Sequence, residues 1–390
     1  MSLFGRSSVT PESGGRRPPA EAMQQGPLFE LARFGQSYWL DDLSRGMIRS
    51  GELQQRVAEE GLTGVTVNPT IFLTALSKSA DYDAQIRQLR DRPAHDIYEA
   101  LIVADVRDAC DILRPVYDRT EGRDGFVSLE ISPNLARNIH GSIAEARRYW
   151  EAVSRPNLFI KVPGTFEGIS VVEELLFEGI NVNVTLLFSV ERYNDVANAY
   201  LNALERRKVA NAPLANVTSV ASFFLSRIDT HVDELLRQKI DSGTPGAEKL
   251  LGKAAVASAK LAYQRYKELI ASGRWHFVEA AGARPQRLLW ASTSTKNPAY
   301  DDLMYVEPLI GFNTITTMPL TTIAAFADHG KVANTVELGV DEARQVMRDL
   351  RALGIDMSEV TRQLLDEGVQ KFVESHNAIL QMIAKKVIAA

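Results

Sequence analysis

NLFIKV, residues 157–162, is a short apolar run with a single charge set inside it. Leu158, Phe159 and Ile160 precede Lys161, and Val162, Pro163 and Gly164 follow it. Outward along the chain lie runs of the same kind. GFVSLEI (125–131) and NVNVTLLF (181–188) flank it, then GVTVN (64–68) and NVTSVASFF (216–224). SYWLD (37–41), RLLWAST (287–293) and NTITTMP (313–319) complete the set. Most are near-continuous β-branched and aromatic stretches, the pattern of strands buried on both faces of a parallel sheet.

Amphipathic stretches separate these runs. In 189–207, Val190, Tyr193, Val196, Ala197, Tyr200 and Leu201 fall at helical spacing. Segment 96–118 reads as helix up to the turn before Pro115, and Cys110 sits among apolar neighbours there, as buried packing. Strand–helix alternation predicts a parallel α/β sheet with right-handed crossovers. Eight strand candidates favour closure into a (β/α)8 TIM barrel over an open doubly wound sheet. Residues 229–286 add two or three helices after strand 6, around the SGTPG turn at 242–246. Residues 331–390 read as wholly helical, with a long final helix from about Ser358. No linker rich in Pro, Gly or Ser marks a second domain, so residues 27–390 are expected to form one.

Composition excludes several classes. With 45% hydrophobic and 24% charged residues, the 390-residue chain is of ordinary globular type. A formal charge of -5 argues against nucleic acid, though a local Arg/Lys cluster can still bind an anion. One cysteine permits no internal disulfide and fits a reducing compartment; the expected location is the cytoplasm. No apolar run reaches the roughly 18–20 residues of a membrane span. Residues 1–26 lack hydrophobic periodicity and carry Pro, Gly, Ser and Arg, as a disordered tail would. Their Ser/Arg content also suits a transit peptide, against which Glu12 and Glu21 count. Homo-oligomerisation stays open.

Nucleotide, metal and hydrolase motifs are incomplete. Gly246 to Lys253 misses the phosphate-loop spacing, and Ala254 stands where Ser or Thr belongs. Six scattered histidines form no pair at ligand spacing, and G-x-S-x-G does not occur. No metal or other cofactor is expected.

Catalytic groups of such barrels collect at the C-terminal ends of the strands. Asp41, Asn68, Glu130, Lys161, Asn183, Thr185, Ser222 and Arg227 are polar residues within or ending six successive strand candidates. Burying each costs a few kcal/mol unless it is paired, so chance explains the set poorly. Lys161 has two readings. It is an edge-strand gatekeeper against aggregation, or it is an amine desolvated so that its neutral, nucleophilic form is favoured for Schiff-base chemistry. Asp41 and Glu130 are either helix caps and loop carboxylates or the proton carriers such chemistry needs. Asn183 and Thr185 share strand parity and are expected to face the barrel interior. Arg227 is either a helix surface charge or a phosphate ligand beyond the sixth strand.

SYWLDDLSRG (37–46), GVTVNPTIF (64–72), VSLEISPNLA (127–136), NLFIKVPGT (157–165), GINVNVTLLFS (179–189) and SVASFFLSRID (219–229) resemble, in order, the signature segments of the transaldolase family. DEGVQKFVESHNAIL (366–380) extends the likeness toward the C-terminus, and WASTSTKNPAY (290–300) resembles the longer bacterial branch. The resemblance implies a Schiff base on Lys161, with Asp41 taking the substrate hydroxyl proton during C–C cleavage. It implies that Glu130 and Thr185 work through a water on imine formation and hydrolysis. Asn68 and Asn183 would hold substrate hydroxyls, and Ser222 and Arg227 the phosphate. Shorter members carry a second phosphate-binding Arg before an Asn; here Lys296 precedes Asn297, and Lys binds phosphate as a point charge without a bidentate fork. Phe224 stands where the related aldolases carry Tyr, or it simply packs at the strand end. The implied activity moves a dihydroxyacetone unit between sugar phosphates of the pentose phosphate pathway. A fructose-6-phosphate aldolase and a non-catalytic sugar-phosphate-binding barrel are the alternatives.

Overall fold

A computed structural model describes residues 26–388. The tail expected over residues 1–26 therefore lies outside the described residues, apart from Gly26. All eight runs become strands: β1 (Gln36–Leu40), β2 (Gly64–Thr66), β3 (Phe126–Glu130), β4 (Leu158–Pro163), β5 (Val182–Leu187), β6 (Ser219–Phe224), β7 (Arg287–Ala291) and β8 (Thr314–Met318). They pair in parallel and in chain order, and β8 pairs with β1 to close the barrel. β4 therefore has a neighbour on each side, which removes the edge-strand reading of Lys161.

The barrel interior is packed solid near its middle. Phe159 meets Phe126 at 4.3 Å and Trp39 at 6.2 Å between ring centroids. Gly64 makes room for that layer: a Cβ there would stand 2.3 Å from the Trp39 indole. Several strand-to-helix turns end in a side-chain cap. Asn68, Thr165 and Ser189 accept from the amides of Ile71, Gly168 and Arg192, fixing where each helix starts relative to the strand before it.

Two expectations need correction. The helix expected to stop before Pro115 runs unbroken from Ala94 to Arg119. Pro115 and Asp111, the carbonyl four residues back, are both exposed, so water can satisfy the freed acceptor while Leu113 and Val116 stay buried. The C-terminal region is not wholly helical either. Residues 331–339 form a loop before helices Val340–Ala352 and Met357–Ile388. In that loop the amides of Thr335 and Val336 donate to the Ile310 carbonyl, and Val336 is wedged against Gly311, so these groups are spent on tertiary contacts. The added segment after β6 carries helices Ser226–Asp241, Ala254–Ile270 and Gly273–Glu279, as expected. No helix among the described residues is long and apolar enough to cross a membrane.

Candidate active site

At the C-terminal end of the strands lies a cavity of about 260 Å³. Asp41, Asn68, Lys161, Ser222, Phe224, Arg227 and Lys296 all line it. Strand register explains the central trio: Glu130 of β3 lies beside Lys161 of β4, which lies beside Asn183 of β5. The Lys161 ammonium is 3.2 Å from Glu130 Oε2 and donates to the Val67 carbonyl at 3.3 Å. Both partners are almost wholly buried, at 4% and 5% exposure. Burial raises the Glu130 carboxyl above its ordinary range, Lys161 opposes the rise, and Asp41 adds to it. Glu130 itself does not line the cavity and reaches it through Lys161.

Asp41 follows β1 and accepts from Thr66 Oγ1 at 2.9 Å. Burial raises its pKa, against the pull of Lys161, Thr66, Lys296 and Arg227 in that order. A carboxyl so placed holds a proton more readily than a solvated one, as an acid–base group must. The two carboxylates are thus neither simple caps nor solvated loop charges. Asn68 does cap a helix, accepting from the Ile71 amide at 3.1 Å, while its side chain also borders the cavity.

Asn183 lies deeper than expected for a substrate ligand. It donates to Ser128 Oγ at 3.0 Å and accepts from Ser222 Oγ at 2.7 Å, so it holds Ser222 at the cavity wall. Thr185 is fully buried, and its Oγ1 has no partner among the described residues. The next residue, Leu186, has φ of +60°, and the β5–β6 register shifts there. Left-handed backbone at a bulky residue is costly, about 1–3 kcal/mol, and such strain clusters at functional sites.

Arg227, in the first turn of Ser226–Asp241, is half-buried and lies among aromatic rings. Its guanidinium carbon is 5.5 Å from the centroid of Phe224 and 6.0 Å from that of Phe372. It has no carboxylate within ion-pair distance among the described residues, which removes the surface-charge reading. Phe224 lines the cavity and also packs on Phe188, with 5.5 Å between ring centroids. Lys296 donates to Ser294 Oγ at 2.6 Å; partial desolvation, Arg227 and Lys371 lower its pKa, in that order.

A family model described as transaldolase/fructose-6-phosphate aldolase matches residues 38–383. The chain belongs to the transaldolase/fructose-6-phosphate aldolase family. Within that family it is 47% identical over 369 residues to a transaldolase of Trichodesmium erythraeum, covering 92% of this chain and 97% of the relative. A transaldolase of Thiobacillus denitrificans is 49% identical over 357 residues, covering 91% and 98%. Transaldolase 2 of a Nostoc species is 47% identical over 370 residues, covering 92% and 97%.

The transaldolase-family site contains residues that sequence reasoning passed over. Thr66 and Thr317 join hydroxyls at 2.8 Å across β2 and β8, and both line the cavity. The rule that singled out Ser222, a polar residue inside an apolar strand, applies to them equally. Ser292 lines it with φ of +55°, held by hydrogen bonds between its carbonyl and the Ser226 amide and between the two hydroxyls. Lys371 and Phe372 come from the final helix, and helical periodicity alone carries no sign of their destination.

Proposed function

We propose that the chain is a transaldolase that moves a dihydroxyacetone unit from a ketose phosphate, such as fructose 6-phosphate or sedoheptulose 7-phosphate, to an aldose phosphate. The acceptors are erythrose 4-phosphate and glyceraldehyde 3-phosphate, as in the pentose phosphate pathway. Relatives named transaldolase along nearly their whole length favour transfer over simple cleavage. The single observation that carries the mechanism is Lys161, buried in a polar cavity with Glu130 at 3.2 Å and Asp41 on the same wall.

The free amine of Lys161 attacks the ketose carbonyl, and the carbinolamine loses water to give an iminium. Glu130, whose raised proton affinity suits it to hand protons on and off, serves this step together with the unpaired Thr185 hydroxyl through a water. Asp41 then takes the proton of the hydroxyl on the carbon beyond the scissile bond. That C–C bond breaks, its electron pair enters the iminium to form an enamine, and the aldose phosphate leaves. The acceptor aldehyde arrives, the enamine carbon attacks it, and Asp41 returns the proton to the new alkoxide. Water hydrolyses the imine and frees Lys161. Asn68 holds substrate hydroxyls, Asn183 sets Ser222, and Ser222, Arg227 and Lys296 receive the phosphate. A buried Cys110, its thiol pushed well above its usual range by burial, suits a reducing, cytoplasmic setting without taking part.

The test is a transfer assay with fructose 6-phosphate in the presence and absence of erythrose 4-phosphate, followed by borohydride trapping. Expected are acceptor-dependent turnover and a reduced dihydroxyacetone adduct on the peptide holding Lys161. Label on another peptide removes Lys161 from the chemistry, and release of dihydroxyacetone as fast as transfer makes the protein an aldolase.

A further inference from the structure

We propose that Lys371, carried on the C-terminal helix Met357–Ile388, is a specificity-determining residue that supplies a third cation, beside Arg227 and Lys296, for the phosphate dianion of the substrate. The inference rests on the sugar-phosphate reading above. It adds to the site a residue that lies far from every strand end in the chain.

Geometry singles out one stripe of that helix. Gly368, Lys371, Phe372 and Ser375 are spaced i, i+3, i+4 and i+7, which places them on one face. Gly368 lies against the site wall, where an added Cβ would be 3.0 Å from Leu186 and 3.4 Å from the Arg227 guanidinium. Phe372 places its ring centroid 5.9 Å from the Lys161 ammonium and 6.0 Å from the Arg227 guanidinium carbon. Ser375 and Thr70 join hydroxyls at 2.9 Å. The stripe thus touches the reactive lysine, the phosphate arginine and a cavity-wall threonine. Lys371 lies within it and borders the same cavity.

An exposed helical lysine is usually a solvated charge paired with a carboxylate one turn away. Here neither carboxylate one turn away lies within ion-pair distance of Lys371 among the described residues. Glu367, four residues before Lys371, accepts from Gln363 Nε2 at 2.7 Å, and Glu374, three residues after it, accepts from Gln370 Nε2 at 3.0 Å. Arg227, Lys296 and Lys371 all lack an ion pair among the described residues. With every group ionised, Lys161 is balanced by Glu130 and one of the other three cations by Asp41. Even with Glu367 also acting on Arg227, the balance at the cavity stays positive, as a phosphate group requires. Because the Lys371 head stays in solvent, it can meet the phosphate of the donor or of the incoming acceptor at the mouth and draw either inward. Its contribution belongs to binding, since such a contact is equal in the ground and transition states.

The experiment compares the native protein with Lys371→Met, which keeps the aliphatic stem, and Lys371→Arg, which keeps the charge. Expected for Lys371→Met is a KM for glyceraldehyde 3-phosphate raised roughly twofold to fivefold, the scale of a partly solvated charge pair. The kcat and the KM for unphosphorylated glyceraldehyde should not move, and Lys371→Arg should restore the native values. Inorganic phosphate, titrated calorimetrically without turnover, should bind Lys371→Met more weakly by the same factor. Unchanged KM and unchanged phosphate affinity in a native enzyme that does transfer overturn the inference alone. Weakened phosphate binding in a protein that turns over no sugar phosphate overturns the transaldolase reading and keeps the anion site. No phosphate binding and no turnover overturn both.

Discussion

At the N-terminal end of the barrel, Arg287 donates to Asp124 Oδ1 at 3.1 Å, to the Thr314 carbonyl at 2.7 Å, to the Arg123 carbonyl and to Ser37 Oγ. Asp124 in turn accepts from Ser37 Oγ and from the Trp39 indole. At the C-terminal end, Arg227 lies among aromatic faces with no carboxylate at ion-pair distance, and Thr185 Oγ1 is buried without a partner, both among the described residues. Both ends carry buried polar groups. The lower end pairs its charge, Arg287 with Asp124, although Arg287 Nε keeps no partner among the described residues, and that paired charge serves as a plug. The upper end leaves cations and hydroxyls unspent and holds Leu186 and Ser292 in left-handed backbone. A paired buried charge is part of the scaffold; an unpaired one is prepared for something that arrives.

Each end can be broken separately. Lys161→Met should abolish borohydride trapping and lower kcat by roughly four orders of magnitude or more, as loss of a nucleophile does. The fold should survive, because Glu130, already raised by burial, loses the partner that lowered it and takes up a proton. A Glu130 that binds its proton more tightly when folded makes this variant lose stability as pH rises through its raised pKa, measurable by denaturation across pH. Arg287→Met should do the reverse. Unfolding in urea should show a loss of about 3–5 kcal/mol, the cost of stranding one partner of a buried pair, with kcat per folded molecule unchanged. A catalytic loss as large as that of Lys161→Met would erase the distinction between the two ends.

Smaller changes sharpen it. Arg227→Ala should raise KM for fructose 6-phosphate roughly tenfold to a hundredfold, the range of a charge-assisted hydrogen bond, and leave kcat nearly intact. Steady-state kinetics showing the opposite split would move Arg227 from binding into chemistry. Thr66→Val should have the least effect. Its hydroxyl stabilises ionised Asp41, so its removal raises the Asp41 pKa further and moves the acid limb of the pH–rate profile to higher pH. A limb that stays in place would assign the acid–base role to another group.

Much of the lower-resolution picture was readable from single segments. NLFIKV announced both a buried strand and an anomalous lysine, and polar residues at strand ends pointed to Asp41, Glu130 and Ser222. Where reading stopped, the cause was local ambiguity settled by distant contacts. Pro115 looks like a helix stop until its exposed position shows that water can take the freed carbonyl. Residues 331–339 look helical until Val336 is found against Gly311. Asn183 reads as a substrate ligand, and only the structure shows that it also links Ser128 to Ser222.

What the chain determines by itself is therefore periodic: strand and helix identity, strand count, and the residue types placed at strand ends. These follow from side-chain chemistry repeated at short range, and each segment carries its own record. Tertiary structure alone decides which charges meet and which remain unpaired. Lys161 could be a gatekeeper until β3 and β5 pair with β4 on its two sides and leave it no edge. Lys371 and Phe372 belong to the site only because the last helix packs across the barrel mouth, more than 200 residues along the chain from Lys161. A pairing between such distant segments depends on barrel closure and helix docking, and no local pattern encodes it.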